Sequence, residues 1–212
     1  MELKLDPERT RRWLSFVIAA GIAGLIVWMN LERPLSALPS VEWAAAFLFC
    51  VVQQDVARMK VPNAITFPAF ALALGLASWQ HGLAGLISGL AGAALVFGVL
   101  LVPFALRGLA AGDVKALMVL GALWGPGAAM AVLWWSAILG GALALAWVGA
   151  RGELGDLLRR WGNSFGVTFA THRVTYFAAE PGATARRGVP RSVALALAVV
   201  ALQVWGVPWG DL

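Results

Sequence analysis

Long apolar runs separated by short polar segments dominate the pattern of this chain. A helix that crosses about 30 Å of hydrocarbon needs about 20 residues at 1.5 Å per residue, and most of the runs approach that length. The runs cover residues 13–31, 41–54, 63–79, 82–106, 109–124, 128–150 and 191–207. The pattern predicts an all-α fold, a polytopic membrane helix bundle with about six to seven transmembrane helices.

Glycine and proline mark two of the boundaries between these runs. Gly82 opens the fourth run, and Gly125, Pro126 and Gly127 follow the fifth. We expect a helix break at residues 125–127, because glycine relaxes the backbone and proline removes a helical hydrogen bond. The fourth run also contains several glycines, which allow helices to pack closely.

One polar segment, residues 151–190, precedes the last run. Apolar residues recur in it at helical spacing, at Leu154, Leu157, Leu158, Trp161 and Phe165. This stripe predicts a helix that lies on the cytoplasmic membrane surface. A solvated loop is the alternative, and the pattern alone leaves both open.

Composition supports the membrane interpretation. The 212 residues are 60% hydrophobic and only 13% charged, with a mean hydropathy of +0.79, whereas soluble domains carry about 25% charged residues. A bilayer must therefore solvate much of the surface. We expect residues 1–212 to form a single membrane-embedded domain. The first run exceeds a signal-peptide core of about 7–15 residues, so we interpret it as a retained anchor.

The basic residues predict the orientation of the chain. With the N-terminus inside, all of the 16 Lys and Arg residues except Arg33 fall in cytoplasmic segments, as the positive-inside rule requires. The net charge of +5 is thus explained by topology and anionic lipid. We expect a multi-pass inner-membrane protein in contact with the lipid bilayer and no nucleic-acid partner.

Few residues could hold a metal. Cys50 is the single cysteine and lies in an apolar run, and the two histidines, His81 and His172, are far apart in the chain. Neither a disulfide nor a zinc cluster can be built from them. We therefore predict no metal and no cofactor, and interpret the histidines as loop residues.

Acidic residues near membrane spans are the candidates for chemistry. Glu42, Asp55 and Asp113 lie at or near spans, where a charge at mid-bilayer costs about 2.5–3.5 kcal/mol. Glu42 falls at an outer edge and is interpreted as an interfacial residue. Two spans separate Asp55 from Asp113, so both lie on the cytoplasmic face at similar depth. This geometry allows a pair of carboxylates.

Two close carboxylates supply both an acid and a base. One keeps its proton while the other is charged, so the charged partner can activate a water and the neutral partner can protonate the substrate. The pair titrates as a unit, which leaves the two roles unassigned. The alternative for each residue alone is a helix cap or a salt-bridge partner.

The residues around both aspartates resemble the prepilin peptidase (type IV leader peptidase) family. Asp55 is followed by Lys60-Val61-Pro62-Asn63, and Gly112-Asp113-Val114-Lys115 resembles the family's GxGD motif. Ala110 stands at the first motif glycine, and the sequence does not decide whether this change impairs activity. The family's CxxC motifs are missing, so the chain resembles the short, peptidase-only form of Flp/Tad-type pilus systems.

This resemblance implies an aspartic endopeptidase of the type IV pilus pathway, in a bacterial inner membrane. Asp55 and Asp113 would be catalytic, and Gly112, Lys115 and Asn63 would shape the site or bind substrate. The partner would be a prepilin or pilin-like substrate with a short basic leader, cleaved at the cytoplasmic face. Two alternatives stay open, a proton- or cation-coupled transporter and a non-catalytic subunit of a pilus or secretion machine. The oligomeric state is not indicated.

Overall fold

The computed structural model describes residues 7–32, 40–105, 109–171 and 191–208, and every regular element in these ranges is an α-helix. The predicted all-α class is confirmed. The helices are α1 (Pro7–Glu32), α2 (Val41–Arg58), α3 (Asn63–Ala105), α4 (Ala111–Gly149), α5 (Leu154–Thr171) and α6 (Arg191–Trp205). The predictions for Arg33, Arg107, His172 and residues 172–190 lie outside the described residues.

Each of the two longest helices is interrupted by a glycine. Gly82 has φ 61° and ψ −145° inside α3, and Gly125 has φ 78° and ψ −175° inside α4. Both lie in a region of φ that glycine adopts without a steric penalty. The predicted break at Gly125 is therefore confirmed, and the boundary between the third and fourth runs falls at Gly82.

At Gly82 the chain turns back on itself. The 43 residues of α3 would extend about 65 Å as a straight helix, more than twice the hydrocarbon thickness. Instead, a Cβ atom added to Gly85 would overlap the carbonyl of Ala77, and one added to Gly89 would lie 3.1 Å from Cδ2 of Leu74. The two halves of α3 therefore pack side by side, and they correspond to the runs 63–79 and 82–106.

The chain divides into two compact units, residues 1–139 with 190–212, and residues 140–189. In the first unit, α1 packs against α2, and both contact α6. Fully buried apolar side chains fill this core, among them Ile26, Leu48, Val132, Val199 and Leu202. Glycines bring the second half of α3 against α4, where backbone atoms of Gly92 lie 2.9 Å from a Cβ built on Gly121.

Large apolar side chains also cover the outside of the first unit. Trp79, Leu83 and Phe67 are 89%, 71% and 62% exposed. Extended apolar patches of this kind are rare on surfaces in contact with water and are expected on surfaces in contact with lipid. Three helices, α1, α3 and α4, are long and apolar enough to cross a membrane, and α6 is a shorter apolar helix. The described residues thus form an all-α membrane bundle.

The ends of neighbouring helices are tied by polar contacts. Near the start of α2, Asn30 Nδ2 donates to Glu42 Oε1 at 2.7 Å. Near its end, Arg11 Nε donates to the carbonyl of Val56 at 3.1 Å. The pairs show that α1 and α2 run antiparallel, with Glu42 and Asp55 toward opposite ends of α2.

The second unit contains α5, so the polar segment is helical as far as Thr171. The apolar residues Leu158, Trp161 and Phe169 are all more than half exposed. Just before α5, the Arg151 guanidinium lies 4.3 Å from the ring centroid of Trp147, a cation–π contact. The helical alternative is correct over this range, and its place on the membrane surface stays a prediction.

Candidate active site

A cavity of about 530 Å³ opens where α2 ends and where α3 and α4 begin. Residues 54–55, 58–63 and 110–113 line it. Four of the five predicted site residues are therefore brought together, although they come from three different helices. They are Asp55, Asn63, Gly112 and Asp113.

Asp55 lies in the last turn of α2 and is only 8% exposed. Its Oδ2 accepts two hydrogen bonds, from Ser192 Oγ at 2.7 Å and from the backbone N–H of Ser192 at 3.2 Å. Four residues later, Met59 ends the helix in the left-handed region, with φ 53°, and donates its N–H to the Asp55 carbonyl at 2.7 Å. Both the side chain and the backbone of Asp55 are thus fixed.

Asp113 lies in the first turn of α4, and its side chain is 16% exposed. Its Oδ2 is 3.8 Å from Nη1 of Arg191, and it accepts no hydrogen bond from the described residues. Asp113 and Asp55 both line the cavity. The two predicted catalytic acids therefore face one site.

Lys115 is the predicted site residue that does not line the cavity. Its Nζ donates to Asn63 Oδ1 at 2.6 Å and lies 5.7 Å from the ring centroid of Phe67. Asn63 is the first residue of α3, just after Pro62, whose carbonyl accepts the N–H of Ile65. The contact joins the start of α3 to the start of α4 at the edge of the cavity.

Gly112 allows the start of α4 to approach the loop after α2. A Cβ atom added there would lie 3.2 Å from both Cβ and Cγ2 of Val61, tighter than ordinary van der Waals contact. Asp113 follows directly, so the small size of Gly112 sets how close Asp113 comes to the cavity wall.

The part of the chain that contains both aspartates matches a known protein family. Residues 43–145 match the model of the Type IV leader peptidase family. Over this segment, just under half of the chain, the sequence is similar to the type IV leader peptidase family. No curated protein and no solved structure matches the chain.

The leader peptidase segment begins in α2 and ends in α4. It contains both aspartates and all three residues predicted to shape the site. The match confirms the predicted resemblance and supports a peptidase role for this membrane protein. It does not reach α6, which supplies Arg191 and Ser192.

Arg191 and Ser192 carry no signal in the sequence that links them to the aspartates. Arg191 fits the distribution of basic residues that predicts topology, and Ser192 opens an apolar run. Ser192 is 137 positions from Asp55, so only the folded chain reveals the contact. An Arg-Ser pair at the start of the last apolar helix is the one local feature that could have drawn attention.

Proposed function

We propose that this chain is a membrane aspartic endopeptidase in which Asp55 and Asp113 together activate a water molecule. One observation carries the proposal: two mostly buried carboxylates from different helices line one cavity. Paired acids of this kind are the known means of providing an acid and a base from one residue type.

The reaction needs only the two carboxyl groups and water. The ionised carboxylate takes a proton from the water, whose oxygen attacks the carbonyl carbon of the scissile peptide bond. The protonated carboxyl group gives its proton to the carbonyl oxygen. As the tetrahedral intermediate collapses, the carboxyl group that took the proton from water gives it to the leaving nitrogen, and the other carboxylate takes a proton from a hydroxyl group of the intermediate. Because the acids titrate as a pair, neither Asp55 nor Asp113 is given a fixed role.

Prepilin-like proteins are the substrates we propose, since the family is one of leader peptidases. Such a substrate joins a short basic leader to an apolar helix. The cavity lies at the ends of apolar helices, where the helix of a substrate could stay in lipid while its leader enters the polar side. Cleavage would then occur at the cytoplasmic face of a bacterial inner membrane.

We further propose the short, peptidase-only form that serves Flp/Tad-type pili. The chain has one cysteine, so it cannot form the paired CxxC motifs of larger family members. The position of Asp55 and Asp113 at helix ends also favours a peptidase over a transporter, whose coupling residues lie near the middle of the membrane.

The test is co-expression of the full chain with a prepilin of a Flp/Tad-type system, followed by the shift in precursor size on a gel. We expect the wild-type chain to remove the leader and Asp55→Asn and Asp113→Asn to leave it in place. Glu42→Gln is the matched control, because Glu42 is an acid at the opposite end of α2, bonded to Asn30.

Glu42→Gln should process the precursor like the wild type. Normal processing by either Asn variant, at equal protein levels, would show that the dyad mechanism is wrong. A wild-type chain that leaves every pilin-like precursor intact would instead favour the non-catalytic subunit.

A further inference from the structure

We propose that the first two residues of α6, Arg191 and Ser192, are positioning residues of the aspartate pair. The inference rests on the proposed peptidase function and deepens it, because it extends the active site beyond the leader peptidase segment, which ends at residue 145. In this account the last apolar helix completes the site.

Ser192 fixes the orientation of the Asp55 carboxylate. Its side-chain hydroxyl and its backbone N–H both donate to the same oxygen, Oδ2, at 2.7 and 3.2 Å. Rotation of the carboxylate would break both bonds. Ser192 is 2% exposed and Asp55 is 8% exposed, so water cannot readily replace the lost donors, and hydrogen bonds to a charged group are strong in such surroundings.

Arg191 plays the corresponding part for Asp113. Its Nη1 lies 3.8 Å from Asp113 Oδ2, an oxygen that is buried and accepts no hydrogen bond from the described residues. Arg191 and Ser192 are consecutive, so their Cα atoms are about 3.8 Å apart. Two consecutive residues therefore contact the two carboxylates, Ser192 through its hydroxyl and backbone N–H and Arg191 through its guanidinium.

The body of α6 is anchored well enough to hold this position. Val199 and Leu202 are fully buried, and α6 packs against both α1 and α2. Farther along the helix, Gln203 is 6% exposed and its Nε2 donates to the Ile26 carbonyl at 3.1 Å. The start of α6 is thus a fixed support for the two acids.

Ser192→Ala tests the first half of the proposal in the full-length chain, purified in detergent and given a prepilin substrate. It removes one donor to Asp55 without adding bulk. We expect kcat to fall on the order of 10- to 100-fold, because small misplacements of reacting groups have effects of this size. KM should stay near the wild-type value, since Ser192 does not line the cavity.

Gln203→Ala is the matched control on the same helix. It also removes a buried hydrogen bond of α6, but one that lies about 16 Å along the helix from Ser192. We expect it to lower the midpoint of thermal unfolding at least as much as Ser192→Ala does while keeping kcat.

Arg191 is tested by the pair Arg191→Lys and Arg191→Gln. The side chain is half exposed, so both replacements fit. Lysine keeps the positive charge beside Asp113, whereas glutamine does not. We expect Arg191→Lys to retain most of kcat. In Arg191→Gln, kcat should fall about tenfold or more, because misplacement of one reacting group has an effect of that size.

The outcomes separate this inference from the proposed function. If Asp55→Asn and Asp113→Asn are inactive while Ser192→Ala and Arg191→Gln have wild-type kcat, the peptidase stands and the role of α6 is wrong. If Ser192→Ala and Gln203→Ala lose kcat equally, in step with unfolding, α6 is merely structural and the proposal is again wrong. If the Asp variants are active, both proposals fall.

Discussion

Ala110 stands at the start of α4, where the family motif has a glycine. Its carbonyl accepts the N–H of Asp113 at 3.1 Å, so it caps the first turn of the helix. Among the described residues other than glycine, only Ser40 and Met59 have a positive φ. Ala110 is also exposed, so neither the backbone nor the space around it requires glycine.

Ala110→Gly restores the family motif and should bring no gain. We expect the cleavage rate to change less than about twofold, equivalent to less than about 0.4 kcal/mol in the barrier. The added backbone freedom should cost at most about 1 kcal/mol of stability. Cleavage rate and thermal unfolding of the purified variant measure both effects, and a tenfold faster Ala110→Gly would show that Ala110 impairs the site.

The sequence drew attention to the two acids that line the cavity, but not to the residues that contact them. A carboxylate beside an apolar run is visible in the pattern because its burial is costly, and this identified Asp55 and Asp113. The left-handed Met59 is not visible, because glycine or asparagine usually fills that position. The donors on Ser192 are not visible either, since serine at the start of a helix is commonplace.

At the scale of elements, glycines decide how closely α3 and α4 approach. A Cβ atom at Gly92 would overlap the carbonyl of Gly121 and would lie 2.7 Å from the Gly125 carbonyl carbon. These are backbone atoms, which cannot move aside as the end of a side chain can. Gly98, on the same half of α3, has no such neighbour within 4 Å.

Gly92→Ala should therefore destabilise the bundle, and Gly98→Ala should not. Overpacking of this kind costs about 1–3 kcal/mol, whereas alanine at an open helical position gains up to about 1 kcal/mol in helix propensity. Thermal unfolding in detergent compares the two variants directly. Equal midpoints for both would contradict the close packing of these helices.

The sequence predicted these elements better than their contacts. Gly125 stood out as a break because it lies with Pro126 between two apolar runs, and α4 is interrupted there. Gly82 marked only the start of a run, and the structure shows that α3 is interrupted there. Glycine in the fourth run indicated close packing in general. It could not indicate Gly121 as the partner of Gly92, because every helix in this chain carries small residues and the pairing depends on the whole bundle.

At the scale of the molecule, the basic residues predict one orientation in the membrane. Lys60 lies at the cavity end of α2, and His81 lies at the turn between the halves of α3; both are exposed. One span separates them, so the positive-inside rule places Lys60 in the cytoplasm and His81 outside. This orientation is a prediction.

Single cysteines test that orientation. In a Cys50→Ala background, which lacks cysteine, we expect His81→Cys to react with a membrane-impermeant maleimide in intact spheroplasts. Lys60→Cys should react only after the membrane is permeabilised. The Cys50→Ala chain without a further cysteine is the negative control. Labelling of Lys60→Cys in intact spheroplasts would contradict the prediction, because it would place the aspartates on the outer face, away from a cytoplasmic leader.

The most direct measurement is the cleavage rate of a purified prepilin by the purified chain. The wild type should release the leader. Asp55→Asn and Asp113→Asn, checked to have the wild-type midpoint of thermal unfolding, should release it on the order of a thousandfold or more slowly, because each lacks the acid or base of the reaction. A folded Asp113→Asn that cleaves at the wild-type rate would contradict the account of paired aspartates.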